Sequence, residues 1–249
     1  MNIGKFNIEE TIGAGNFGIV YKVRDTLLDV ERAIKVIRAN NPAEFVAAIN
    51  EAQILEHCRH FHIVDIKAID LYDIAGTISP CITTEYLKNG SVQEFLDTRF
   101  VTVHKAIQII SEALAGLEHA HSKGIFHRDI KPANILFSDN WQAKLSDFGL
   151  AYGLAHQAVD FKGYYAHLPP EVYQGHVQDA ICDLYATGVT FHRLINNLSA
   201  LPMPYIDDAQ RLKALQKEGF PKRDFELYIP EIVIKVAKKS MKADRTKRY

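Results

Sequence analysis

The stretch His127-Arg128-Asp129-Ile130-Lys131-Pro132-Ala133-Asn134, followed by Asp147-Phe148-Gly149, constrains this 249-residue chain more than any other. It crowds two carboxylates, an amide and a lysine into a short span, where they can hold a nucleophilic hydroxyl, a divalent metal and a phosphate together. Each residue alone has a plainer reading. An Asp-Phe-Gly triplet arises by chance, an Arg-Asp pair is commonly a surface charge pair, Asn134 suits an Asx-turn, and Asp147 suits a cap or turn. The weight lies in the combination, and in whether the rest of the chain supplies the missing parts in order.

Composition leaves room for one large domain or two lobes. At 47% hydrophobic and 24% charged the chain is an ordinary globular protein, not a disordered one. Lys and Arg number 29 against 30 Asp and Glu, and the net charge of −1 gives no general reason to expect nucleic acid or an anionic membrane as partner. Cys58, Cys81 and Cys182 form no close-spaced framework and fit free thiols in a reducing compartment. The amino-terminal residues lack a long apolar run, and no stretch approaches the ~20 apolar residues that span a bilayer. A cytoplasmic protein without repeats or low-complexity linkers is expected.

In chain order, Phe6 to Ile12 reads as a strand, Gly13-Ala14-Gly15-Asn16-Phe17-Gly18 as a turn, and Ile19 to Val23 as a second strand. Glycines in such a hairpin let the backbone close over phosphate and point its amides at the oxygens. A dinucleotide-binding fingerprint would need a helix at the third glycine, where a strand follows instead. A third strand covers Arg32 to Ile37 and carries Lys35 among apolar neighbours. Asn41-Pro42-Ala43-Glu44 opens a helix whose apolar face is drawn from Phe45, Val46, Ile49, Ala52, Ile54 and Leu55. The run His57-Cys58-Arg59-His60-Phe61-His62 has no usual zinc spacing and is read as structural. Strands follow over Val64–Leu71 and Ile78–Tyr86, with Asp73 and Gly76 as turn material. Helices are expected from Ser91 to Leu96, over the long periodic run Val103–His121, and around Ala209–Lys217 and Ile232–Lys239.

These motifs, in this order from Gly13 to Arg248, resemble the eukaryotic-type protein kinases, and among them the Ser/Thr kinases. The resemblance implies an α+β, two-lobed fold. A small antiparallel-sheet lobe with one helix would cover residues 1–84, a hinge 85–90, and a larger mainly helical lobe 91–249, stopping before its last helix as the front part of a longer protein. It implies ATP and Mg²⁺ in the cleft, and γ-phosphoryl transfer to Ser or Thr of protein substrates, autophosphorylation included, with no nucleic-acid or membrane partner.

By the same resemblance, Asp129 would orient the incoming hydroxyl and Lys131 would neutralise charge growing on the transferred group. Asn134 and Asp147 would hold Mg²⁺, a hard cation that prefers oxygen ligands. Gly13, Gly15 and Gly18 would cover the phosphates. Lys35 would contact the α- and β-phosphates and pair with Glu51, Glu44 being the competitor at the helix start. Val20, Ala33 and Leu136 would sandwich the adenine, the backbone of Glu85 and Leu87 would bond its edge, and Thr84 would be the gatekeeper. Leu55, Ile66, His127 and Phe148 match a stack linking the lobes. Asp183 matches an aspartate that anchors the catalytic loop from a buried helix, and Arg248 an arginine that pairs with Glu171. Lys131, two residues after Asp129, resembles the Ser/Thr rather than the Tyr kinases.

The segment Gly163-Tyr164-Tyr165-Ala166-His167-Leu168-Pro169-Pro170-Glu171 departs from the family's pattern. Pro169 replaces an alanine, and Tyr164 stands where a threonine would touch the catalytic residues. No Ser or Thr occurs between Ser146 and Thr187. A phosphorylated Ser or Thr therefore cannot order this segment against Arg128. Either the segment works unmodified or it uses Tyr152, Tyr164 or Tyr165. The alternative reading is a pseudokinase or nucleotide-binding regulatory module without transfer activity; against it stand Lys35, Glu51, Asp129, Asn134 and Asp147, all present. The basic ending from Lys235 reads as a solvated helix face.

Overall fold

The β-branched and aromatic runs at the start of the chain form a sheet, and the long apolar periodicities after residue 100 form helices. The computed structural model describes residues 2–15, 18–39, 41–148, 152–153, 165–198 and 228–249. The chain divides between Lys88 and Asn89 into two compact units. The first is a six-stranded antiparallel sheet with one helix and the second is mainly helical, in line with the α+β fold expected from the sequence.

The sheet contains β1 (Asn2–Ile3), β2 (Phe6–Gly15), β3 (Gly18–Asp25), β4 (Val30–Ile37), β5 (Ile66–Ile74) and β6 (Thr77–Glu85), in the order β1-β2-β3-β4-β6-β5. Ile3, Phe6, Val23, Ile34, Val36 and Cys81 make a buried cluster within it. β3 and β4 pair without a bulge from Gly18↔Ile37 to Asp25↔Val30, which sets Val20 opposite Lys35. Gly18 is required where it stands: its φ is +147°, and a Cβ there would overlap the Val36 carbonyl oxygen. Asp73 and Gly76 do make the β5–β6 turn, with the Asp73 carboxylate accepting from the Gly76 N–H at 2.7 Å. The two strands begin and end up to three residues away from the limits that their residue patterns suggest.

Helix α1 (Pro42–His57) begins as its sequence indicates. Asn41 caps it by accepting from the Glu44 N–H at 3.0 Å, and Pro42 occupies the first turn. Its buried residues are Ala48, Glu51, Ala52 and Leu55, spaced at i, i+3, i+4 and i+7. Val46, assigned above to the apolar face, is 54% exposed; two residues from Ala48, it lies about 200° around the helix, on the opposite side. In the histidine run, His57 Nδ1 lies 2.6 Å from the Gln53 carbonyl and Cys58 is buried; no group of three His, Cys, Asp or Glu that could hold a metal ion is found among the described residues.

The second unit holds α2 (Val92–Thr98), α3 (Val103–Ser122), α4 (Pro170–Tyr173), α5 (Ala180–Ile195) and α6 (Glu231–Ser240). Among the described residues it also holds two small antiparallel pairs: β7 (Ile125–Phe126) with β10 (Tyr152–Gly153), and β8 (Ile135–Phe137) with β9 (Ala143–Leu145). Ser91 is the N-cap of α2, in a capping box with Glu94, and not its first helical residue. α3 buries Ala106, Ile109, Ala113, Leu117 and Ala120 along one stripe. α5 is buried on nearly every side and serves as the unit's core, packing against both α3 and α6. Gly188 permits the α5–α6 approach, since a Cβ on it would lie 2.5 Å from that of Ser240. The helix expected around Ala209–Lys217 lies outside the described residues, as do Asn16, Phe17, Gly149 and the 154–164 stretch with Gly163 and Tyr164. No helix among the described residues is long and apolar enough to cross a membrane.

Candidate active site

In the first unit, the β4 register and the inward face of α1 bring Lys35 and Glu51 together. Lys35 Nζ lies 2.7 Å from Glu51 Oε1, with both side chains largely buried. Glu44, the competing carboxylate, stays at the helix start, where its side chain accepts from the Asn41 amide at 3.0 Å. Gly13 pairs with Val20, and Gly15 with Gly18, at the end of the β2–β3 hairpin. Ala33 pairs with Thr84 across β4 and β6. Glu85 is held at both ends of its peptide. Its N–H donates to the Asp65 carbonyl at 3.0 Å, its carbonyl accepts from the Thr84 hydroxyl at 3.2 Å, and its side chain accepts from the Asp65 N–H at 2.9 Å. Leu87 is buried.

In the second unit, Asp129 is the point on which neighbouring groups converge. Its Oδ2 receives the Lys131 ammonium at 2.6 Å and the Asn134 amide at 2.9 Å, and the same amide donates to the Asp129 carbonyl at 2.8 Å. A tight turn over Pro132–Asn134 sets this up, with the Asn134 N–H donating to the Lys131 carbonyl at 3.0 Å. The β8–β9 pair then returns the chain to the same place. The Ser146 N–H donates to the Asn134 carbonyl at 2.9 Å, so Asp147 follows directly on a residue tied to Asn134. Leu136 sits in β8, bridged to Ser91.

This loop hangs from α5. Asp183, 1% exposed, accepts the Arg128 N–H on Oδ1 and the His127 N–H on Oδ2, both at 2.8 Å; His121 Nε2 lies 2.8 Å from Oδ2 as well. Three donors on one carboxylate offset the cost of burying it. They also hold Arg128 at φ +66°. Asp147 is likewise in the left-handed region, at φ +59°. Non-glycine residues there cost on the order of 1–3 kcal/mol each and persist where their surroundings fix them. His127 Nε2 lies 2.9 Å from the Ser146 carbonyl, which can only accept, so the proton sits on Nε2 and Nδ1 accepts from the Asp129 N–H at 3.3 Å. The His127 ring packs on Phe148 at 4.5 Å, and Leu55 and Ile66 are buried in the first unit.

Arg248 meets Glu171 in a bidentate, buried pair at 2.5 and 2.8 Å. Burial also pushes the nearby Cys182 thiol well above its ordinary pKa, leaving it protonated. His121 was not singled out from the sequence. Its signal is its place four residues after Leu117, beside the buried stripe of α3, where a half-buried polar ring needs a partner. Chemically, the loop offers a carboxylate able to accept a hydroxyl's hydrogen bond, an ammonium beside it for anionic charge, and hard oxygen donors at Asn134 and Asp147.

The model of the protein kinase domain matches residues 6–249. Among curated proteins, the chain is 29% identical to a probable serine/threonine-protein kinase of Streptomyces coelicolor, over 92% of this chain and 35% of that protein. It is 30% identical to the serine/threonine-protein kinase PknB of Mycolicibacterium smegmatis, over 85% of this chain and 35% of that one. It is 29% identical to the serine/threonine-protein kinase PrkC of Bacillus subtilis, over 99% and 38% respectively. The chain thus spans little more than a third of the length of these curated relatives.

Proposed function

The chain belongs to the protein kinase domain family, and on that premise we propose that it transfers the γ-phosphoryl group of ATP to Ser or Thr hydroxyls of protein substrates. ATP and a protein acceptor are the substrates that the family implies. The observation that carries the reading is the convergence of Lys131 and Asn134 on Asp129, in a loop hung from Asp183. The Ser/Thr assignment is supported by Lys131 itself and by the names of the relatives. A cytoplasmic setting is supported by Cys58, Cys81 and Cys182, all free and buried.

In this mechanism Asp129 accepts the hydrogen bond of the acceptor hydroxyl and aims its oxygen in line at the γ-phosphorus. As the new P–O bond forms and the bond to the ADP oxygen breaks, Asp129 takes the hydroxyl proton, and the Lys131 ammonium balances charge on the transferred group. Lys35, braced by Glu51, contacts the α- and β-phosphates. The backbone around Gly13, Gly15 and Gly18 covers the phosphates. Val20, Ala33 and Leu136 contact the adenine faces, and the backbone of Glu85 and Leu87 its edge. Asn134 and Asp147 supply the hard oxygen donors that suit Mg²⁺, and the tie from the Ser146 N–H to Asn134 keeps those two stretches adjacent. Bound there, Mg²⁺ would neutralise phosphate charge.

The test is radiolabel transfer from Mg·ATP to the chain and to generic proteins, followed by phosphoamino-acid analysis. Label on Ser or Thr, lowered at least about 10²-fold in Lys35→Met, is the expected result. Label confined to Tyr would overturn the residue class, and no transfer at all would overturn the reaction.

A further inference from the structure

Asn89, Gly90 and Ser91 open the second unit, directly after the division at Lys88, and the first two belong to the stretch read as a hinge. All three are tied to β8 or to the turn that follows it. Ser91 forms an antiparallel bridge with Leu136. The Gly90 carbonyl accepts from the Phe137 N–H at 2.9 Å. The Asn89 side-chain amide donates to the Ser138 carbonyl at 2.7 Å and lies 3.4 Å from the Asp139 carbonyl. Residues 89, 90 and 91 thus run against 138, 137 and 136 in the register of an antiparallel strand.

The last rung of this ladder is made by a side chain. Gly90 stands at φ +69°, which breaks the extended backbone, and the Asn89 amide carries the pairing one residue further. A Cβ on Gly90 would overlap the Glu94 carboxylate, which accepts from the Ser91 N–H at 2.6 Å. The acceptor is itself fixed. The Ser138 carbonyl also accepts from the Trp141 N–H at 2.9 Å, and the Trp141 ring packs against Phe137 at 5.4 Å and Phe95 at 5.7 Å. Between these ties lies Leu136. Ile135 and Phe137 are fully buried, whereas Leu136, on the other face of β8, is half-buried and open to a ligand.

We infer that Asn89 is a positioning residue for the nucleotide, its side-chain amide locking residues 89–91 onto β8 and so holding Leu136 against the adenine. The inference rests on the phosphotransfer reading above, in which Leu136 contacts the adenine. Asn89→Asp tests it, because the variant keeps the shape and loses the donor, setting a carboxylate against two carbonyls. The dissociation constant and KM for ATP should rise roughly three- to tenfold while kcat stays within about twofold of wild type. Acrylamide quenching of Trp141, the chain's one tryptophan, should rise in the same variant. A residue that merely filled space would leave the Asp variant at wild-type affinity, and an ATP affinity within about twofold of wild type would overturn the inference, whatever the quenching.

If the Asp variant does not fold, hydrogen exchange of the Asn89 side-chain amide in the wild-type protein decides. Slow exchange that ADP slows further supports the inference, and exchange as fast as in free asparagine overturns it. ATP binding is measured without turnover, so a wild-type chain that binds ATP and transfers nothing would refute the phosphotransfer reading alone, and the affinity comparison would still judge Asn89.

Discussion

Asp183 does the most for the loop of any single residue, because its carboxylate is the acceptor for two consecutive backbone N–H groups and faces one imidazole. Removing that carboxylate strands buried donors and frees Arg128 from the contact that holds its left-handed backbone. Asp183→Ala should cost about 3–5 kcal/mol in urea unfolding, with Asp183→Asn in between, since an amide keeps one accepting oxygen. A loss below about 1 kcal/mol in the Ala variant would mean that the loop is held elsewhere. At this scale the sequence was informative where chemistry demands residue types close together: Asp129, Lys131 and Asn134 fall within one short turn, and they do meet. It was uninformative where the partner is remote. His121 and Asp183 are 62 residues apart, and no local pattern couples them. The left-handed backbone at Arg128 was equally hidden, because its N–H is held by the remote Asp183 carboxylate.

The long periodic segments were legible as elements. α1, α3 and the β2–β3–β4 run appear within a few residues of their expected limits, because burial follows a 3.6- or 2-residue period that the sequence displays. β1, β7, β8, β9 and β10 were not legible; strands of two or three residues carry no period and form only when tertiary structure brings their partners alongside. Val46 went wrong because several apolar residues of α1 lie outside its buried stripe, and apolarity alone does not choose among them. The stretch between Asp147 and Glu171 poses a question of regulation at the same scale. It contains no Ser or Thr, and Arg128, the basic residue that would meet a phosphate there, is only 9% exposed. Transfer is therefore expected to proceed without modification of this stretch. Phosphatase-treated protein, and the variant with Tyr152, Tyr164 and Tyr165 all changed to Phe, should keep at least about half of the wild-type rate, whereas a collapse of rate in the triple variant would assign the switch to a tyrosine.

Over the whole molecule, His167 links the packing of the second unit to pH. The unfolded chain takes up a proton on this ring near the ordinary value of about 6.5, while the folded protein does so only near 3. The unfolded state thus binds more protons between those limits. Stability is fully present above about pH 6.5 and is lost as pH falls towards 3, by up to about 1.4 kcal/mol per unit from this group. Urea midpoints should accordingly fall between pH 6.5 and 5, a window above the ordinary carboxylate range, and the slope there should flatten in His167→Phe. An unchanged slope would contradict the assignment. The division at Lys88 and Asn89 falls within the 85–90 stretch read as a hinge, and each unit carries its own part of the chemistry: the Lys35–Glu51 pair in the first, the Asp129 loop in the second. Phosphoryl transfer by this loop is measured as the initial rate of transfer from Mg·ATP to a protein acceptor in the wild-type chain and in Asp129→Asn, with ATP affinity determined in both. ATP affinity equal within about twofold and a rate lower by about 10²–10⁴-fold in the variant are expected; equal rates in the two proteins would contradict a catalytic role for Asp129.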